Sequence, residues 1–204
     1  MAILNPIRRS CPVPPGSRHC GHCGAFVWAL LLVVAEGIAG SWVVLAEEPL
    51  PEPQVKAAFL INFPKYVDWP AAAFAGTNSP IVIAVLGESK VTTELQKLVA
   101  GRSVNGRAFV VQGLASSDEP GGCHILFIAA AEQPRCQALL AKLKGGVLIV
   151  GESDDFLEQG GIINLARRDR KIALEVNLSA AGRARIKISS KLLDLARVVR
   201  DHPK

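Results

Sequence analysis

Three short runs in this chain are apolar almost without interruption: Ile81–Leu86 (IVIAVL), His124–Ile128 after its histidine (ILFI), and Val147–Val150 (VLIV). A strand with one face in water alternates apolar and polar residues, so strands that are apolar on both sides belong to a sheet covered on both faces. Helical patterns at Val91–Ala100 and Arg135–Lys144 separate these runs, and Ala108–Gln112 supplies a further strand. Parallel neighbours need a crossover between them, and a helix is the usual one. The alternation therefore predicts an α/β fold, with a mainly parallel sheet sandwiched between helices.

The pattern changes towards the C-terminus. Ile162–Ala166 and Ile172–Val176 flank the polar loop Arg167-Arg168-Asp169-Arg170-Lys171. In the second run Ile172, Leu174 and Val176 share a face, opposite Ala173, Glu175 and Asn177. Two such runs around a five-residue loop predict an antiparallel C-terminal hairpin on the sheet. A closing helix is expected over Ser190–Arg200, capped by Ser189 or Ser190.

At the front of the domain Phe59, Phe63, Tyr66 and Val67 fall on one helical face, predicting a helix over residues 54–68. Pro64 lies inside it, so a bend near Leu60 is expected. Trp69-Pro70 ends the helix, because a proline disfavours helical geometry in the residue before it.

Residues 25–46 (AFVWALLLVVAEGIAGSWVVLA) follow Arg8, Arg9 and Arg18, and end in the small-residue pattern Val44-Leu45-Ala46. That layout predicts a signal peptide over residues 1–46, cleaved after Ala46. The alternative is an uncleaved anchor, against which Glu36 costs about 2.5–3.5 kcal/mol at mid-span. Either way the basic residues stay cytoplasmic and the rest is exported. Residues 47–53 (EEPLPEP) read as a spacer, 54–200 as a single domain and 201–204 as a tail. After cleavage the leader takes away three basic residues and one acidic residue, lowering the net charge from +5 to +3. No cationic run with interleaved aromatics suggests nucleic acid.

Two cysteines remain in the exported part, Cys123 and Cys136. They begin a strand and the helix beyond that strand's far end, a separation of about 23 Å. A disulfide needs Cα atoms about 4.4–6.8 Å apart. Free thiols are expected, or an intermolecular link at Cys136.

Several patterns invite a chemical reading. His19-Cys20-Gly21-His22-Cys23 resembles a metal site but precedes the apolar leader. Cys123-His124 suggests a nucleophile and base, yet strand neighbours point to opposite faces. Gly87-Glu88-Ser89 and Gly151-Glu152-Ser153 follow strands, where α/β folds place ligands. Neither carries a glycine-rich phosphate loop, and ordinary turns explain both. In Asp154–Gly161, Phe156 either plugs the sheet edge or, with Leu157, meets a protein. The cationic Arg167–Lys171 loop is a solvated tip or a contact for anionic lipid or an acidic partner.

The order and spacing of FLINFPKYVDWP (59–70), CHILFI (123–128), GGVLIV (145–150) and SSKLLDLA (189–196) resemble the YfiR-like family of exported bacterial proteins. The resemblance runs from about Val55 to Val199. It implies a periplasmic, non-enzymatic repressor of a membrane-bound diguanylate cyclase, lowering cyclic-di-GMP and biofilm formation. Its partner would be the periplasmic sensor region of that inner-membrane enzyme, with a homodimer left open. No cofactor, metal, nucleic acid or membrane span after cleavage is implied. The resemblance places partner binding between Phe156 and Asn177, at Phe156, Leu157, Ile163, Leu174, Glu175 and Asn177. The two cysteines depart from relatives that carry internal disulfides. A second class is a periplasmic small-molecule sensor with a pocket near Gly87, His124 or Gly151. A third is a hydrolase built on Cys123 or a serine, which lacks a second histidine in the domain.

Overall fold

A computed structural model describes residues 50–200, apart from Lys144 and Arg170. The leader or anchor at residues 1–46, its cleavage point, the His19–Cys23 cluster and the 201–204 tail lie outside the described residues.

Each apolar run forms a strand: β2 (Ile81–Leu86), β5 (Ile125–Ile128) and β6 (Leu148–Gly151). With β3 (Ser103–Val104), β4 (Arg107–Leu114), β7 (Ile163–Arg168), β8 (Lys171–Asn177) and β10 (Arg197–Val199) they make one sheet, ordered β10-β8-β7-β6-β5-β2-β4-β3. β4, β2, β5, β6 and β7 run parallel, and β8 returns antiparallel to β7. The mainly parallel sheet and its antiparallel hairpin are therefore as expected, but Arg167, Arg168 and Lys171 belong to the paired strands and not to the expected five-residue loop, because the ladder continues to the Arg168–Lys171 pair.

Lateral pairing aligns Val85, Phe127, Val150, Ile163 and Val176 across five strands. All five side chains are fully buried. Burying each contributes on the order of 1.5–3 kcal/mol, which makes this row the spine of the core. Two helices, α1 (Glu52–Asn62) and α2 (Lys90–Val99), pack together on that face. On α2, Ser89 caps the first turn by accepting from Val91 N–H, and Val91 and Leu95 face inward. The opposite face meets α3 (Cys136–Leu140) and α4 (Leu178–Arg183), which border a cleft with Val147 and Ile149. Asn177 caps α4.

The structure differs from expectation at both ends of the domain. α1 begins at Glu52, so the last two residues of the expected spacer lie in its first turn. It stops at Asn62 instead of continuing bent to residue 68. Pro64 has no N–H to continue the ladder, and a 3₁₀ turn over Phe63–Lys65 takes over. The buried stripe is Lys56, Ala57, Leu60 and Ile61. Tyr66 leaves the helix, and β1 (Val67–Asp68) pairs antiparallel with β9 (Lys187–Ile188).

The closing helix is a single turn, α5 (Ser190–Leu193), capped by Ser189. Arg197–Val199 instead pairs parallel with Glu175–Asn177 on the open edge of β8, where β-branched valines are favoured. A 3₁₀ turn containing Pro134 spans Ala130–Arg135 before α3, and the helix expected at Arg135–Lys144 is shorter, ending at Leu140.

Candidate functional site

The hairpin of β7 and β8 carries four of the six residues expected at the partner surface, and all six are buried. Ile163 and Leu174 face the helix α1 side of the sheet, while Glu175 and Asn177 face the other. Phe156 lies against the sheet face on two glycines and does not plug an edge. A Cβ added at Gly151 would come 2.4 Å from Phe156 Cδ2, and one at Gly161 2.2 Å from its Cε1. Leu157 follows it inward, and Asn177 Nδ2 donates to the Leu157 carbonyl at 3.3 Å. In this conformation these six residues shape the surface from beneath.

A polar network ties that interior to the exterior. Asn164 Nδ2 donates to Glu175 Oε2 at 3.1 Å, inside the protein. Arg168 lies 3.6 Å and Arg197 3.4 Å from the same carboxylate, and both guanidinium groups reach solvent. Arg168 also donates to Asp154 at 2.7 Å. The Asp154 hydrogen bond, followed by the charge of Glu175, holds the Arg168 guanidinium above its usual range. A buried carboxylate needs such partners, because an unpaired one carries its full desolvation penalty.

The exposed surface of the hairpin lies beside α1. Val55 and Phe59 of the helix and Ile172 of β8 line a groove of about 690 Å³, with Leu50 at one end. Arg167 and Lys171 stand on its rim, and Arg167 forms an ion pair with Glu52 at 3.4 Å. Sequence reasoning singled out the cations but missed the helix wall, because Phe59 and Ile172 are far apart in the chain. The groove has apolar walls and a cationic lip.

The two strand-end turns are occupied by the protein's own side chains. Gly87 adopts φ +87°, and a Cβ there would come 2.8 Å from Glu132 Cγ. Glu132 is buried, accepts from Ser116 Oγ and lies 3.5 Å from Arg135. At the next strand Glu152 accepts from Ala130 N–H at 2.8 Å and pairs with buried Lys56 at 2.5 Å. Lys56 also pairs with Glu52 one turn back. Both carboxylates sit where an α/β fold would receive a ligand.

Cys123 and Cys136 are free and buried. Burial pushes each thiol up to about 11, which keeps it protonated and a poor nucleophile. His124 is buried beside Cys123, but its Nδ1 accepts from Val82 N–H at 3.0 Å. That bond uses the nitrogen a base would need. Among the described residues, no group of three or more His, Cys, Asp or Glu is arranged to hold a metal ion. Nor is any described helix long and apolar enough to cross a membrane.

A family model described as YfiR/HmsC-like matches residues 53–197. Among solved structures, a conserved domain protein from Vibrio cholerae O1 biovar El Tor str. N16961 is similar at 12% identity, with a TM-score of 0.49. The likeness covers 74% of this chain and 61% of that one, so the chain spans less than two thirds of that protein's length. No curated protein matches the chain.

Proposed function

The chain belongs to the YfiR/HmsC-like family, and we propose that it is a periplasmic, non-enzymatic regulator that holds a membrane-bound diguanylate cyclase inactive. Its effect would be lower cyclic-di-GMP and less biofilm. The observation that carries this reading is the groove between α1 and the β7–β8 hairpin, set within a domain that the family model spans almost completely. Its occupant is an amphipathic acidic segment in the sensor region of the cyclase. Apolar side chains of that segment would cover Val55, Phe59 and Ile172, and its carboxylates would meet Arg167 and Lys171. Charges on a rim steer and orient a partner, while the apolar centre supplies most of the affinity.

Repression requires differential affinity. A regulator that bound active and inactive cyclase equally would shift nothing, however tightly it bound. Moving the enzyme from mostly active to mostly inactive, 99:1 in each direction, takes about 10⁴-fold tighter binding to the inactive form. The buried network of Asn164, Glu175, Arg168 and Arg197 supports this role by fixing the hairpin that presents the cations. Phe156, Leu157, Ile163, Leu174 and Asn177 act in the same way, as positioning residues under the contact surface.

The small-molecule reading draws less support, since Glu132 and Glu152 with their partners occupy the strand-end turns. The test is genetic. Deleting the gene in a strain that expresses the cyclase should raise cyclic-di-GMP and surface attachment. Complementation should restore both, whereas an Arg167→Glu/Lys171→Glu variant that reaches the periplasm at normal abundance should not. Unchanged cyclic-di-GMP on deletion would contradict the reading.

A further inference from the structure

The opposite edge of the sheet, at the N-terminal ends of the parallel strands, is crossed by residues 70–80, which connect β1 to β2. This segment contains no titratable side chain. It is held to the sheet through His124 of β5 and Arg107 of β4. Trp69 Nε1 donates to the His124 carbonyl at 3.2 Å. The Phe74 ring stacks on the imidazole, with centroids 4.4 Å apart and planes at 21°. Arg107 reaches over the same phenyl ring, 3.9 Å from its centroid. Two groups that close to one ring occupy its opposite faces, so Arg107, Phe74 and His124 form three layers. Arg107 also donates to the carbonyls of Gly76 at 3.1 Å and Ser79 at 2.7 Å.

The hydrogen bonding of His124 fixes its charge state. Its Nδ1 accepts from Val82 N–H, so that nitrogen carries no proton. Its Nε2 then carries the proton of the neutral ring, buried, with the Ala73 backbone as a weak acceptor that falls short of a well-formed hydrogen bond. Protonating the ring would place a second N–H at Nδ1, facing the Val82 N–H. The bond to β2 would become a donor–donor contact. It would also place a cation on one face of Phe74 while the Arg107 cation stands on the other.

We propose that His124 is an acid-operated latch on residues 70–80, closed when the imidazole is neutral and released when it is protonated. The charged and titratable surroundings are few. Arg107, from β4, opposes protonation. Asp68, from β1, borders the same cleft as Phe74 and Arg107 but is exposed and lies across from Lys187, so its attraction is screened. Cys123 precedes His124 on β5, with its thiol held neutral. From β2 and β6 the neighbours are Ile81, Val82, Val147 and Leu148, none titratable.

Burial holds the imidazole below its ordinary value; the Ala73 backbone works against this, and the Arg107 charge adds to it. A released segment returns His124 towards its solvent value near 6.5. The open state therefore binds more protons, and the closed state weakens as pH falls below about 6.5.

Pulsed hydrogen–deuterium exchange on the full chain tests this, comparing wild type with His124→Asn at pH 7.5 and 5.0. Asparagine Oδ1 can accept the Val82 N–H but cannot titrate. Residues 70–80 are unchanged by the substitution, so their intrinsic exchange is identical in the two proteins. The rise in their exchange between pH 7.5 and pH 5.0, after correction for intrinsic rates, should be several-fold larger in wild type than in His124→Asn, because the asparagine loses the Phe74 stack at both pH values and titrates at neither. The same rise in both proteins would overturn the latch. Should His124→Asn fail to fold, wild type alone decides, with residues 70–80 referred to α2 after correction for intrinsic rates. A ratio that rises on acidification supports the latch, and a constant ratio overturns it.

Discussion

Lys56 and Glu152, 96 residues apart in the chain, meet at 2.5 Å inside the protein. The first belongs to α1 and the second follows β6, so this contact joins the helix that walls the groove to the central strands. It also explains why a lysine occupies a buried helical position, where only apolar residues would be expected.

Replacing Lys56 with methionine keeps the apolar stem and removes the charge. Glu152 is then left largely buried and unpaired, and the change should cost about 3 kcal/mol, the lower end for breaking a buried pair, since Glu52 is a third exposed. The double variant Lys56→Met/Glu152→Gln should recover a large part of the loss, because glutamine still accepts the Ala130 N–H. Urea unfolding of the single and double variants checks this. Equal stability of Lys56→Met and wild type would show that the pair contributes nothing.

A second prediction concerns Phe156. Its ring fills the space left by Gly151 and Gly161, so Gly161→Ala should destabilise the domain by driving a methyl group into the ring. Phe156→Ala alone should cost about 3–5 kcal/mol through the cavity it leaves. Combined, the two changes should cost less than their sum, since the alanine methyl then enters vacant space. A double-mutant cycle by thermal or urea unfolding measures the coupling, and strict additivity would deny the contact.

The strands were the most legible part of the fold. Ile81–Leu86 begins and ends as expected, because a run apolar on both faces has few ways to be buried except as a central strand. Helix faces were less legible. The stripe on α1 includes Lys56, whose burial depends on Glu152, and nothing local signals that partner. Residues 190–200 carry a helical spacing of apolar residues, but the open edge of β8 captured Arg197–Val199. Leu195 is left 77% exposed as a result.

The candidate surface was only half legible, for a related reason. Charge clustering marked Arg167 and Lys171, since cations crowded at the tip of a hairpin must reach solvent. The apolar wall opposite them comes from Val55 and Phe59, brought near by the packing of α1. Conversely, Phe156, Ile163 and Leu174 lie where the resemblance pointed, but strand alternation and the two glycines turn them inward. The glycines at 151 and 161 were the available signal, because two residues lacking a Cβ can admit a ring between them.

The cysteines give a third prediction. With both thiols buried and raised to about 11, neither Cys123 nor Cys136 should be alkylated appreciably at pH 8 in the native protein. Both should be modified after denaturation without a reducing agent. Peptide mapping after iodoacetamide treatment separates these sites from the cysteines in residues 1–49. A native Cys123–Cys136 peptide would contradict the arrangement described. An intermolecular bond through Cys136 would require the core to open, since that side chain has no exposed surface.

The central claim is that the groove between α1 and the hairpin binds a membrane-bound cyclase. The most direct test is capture of detergent-solubilised inner membrane proteins on residues 47–204, using wild type and the Arg167→Glu/Lys171→Glu variant side by side, with identification by mass spectrometry. Circular dichroism and urea unfolding should first establish that both proteins are folded. The account predicts that wild type retains a diguanylate cyclase and that reversing two rim charges reduces its recovery at least tenfold, about 1.4 kcal/mol. Equal recovery on both proteins would contradict the groove as the binding surface, and failure of folded wild type to retain any cyclase from membranes that contain one would contradict the regulator itself.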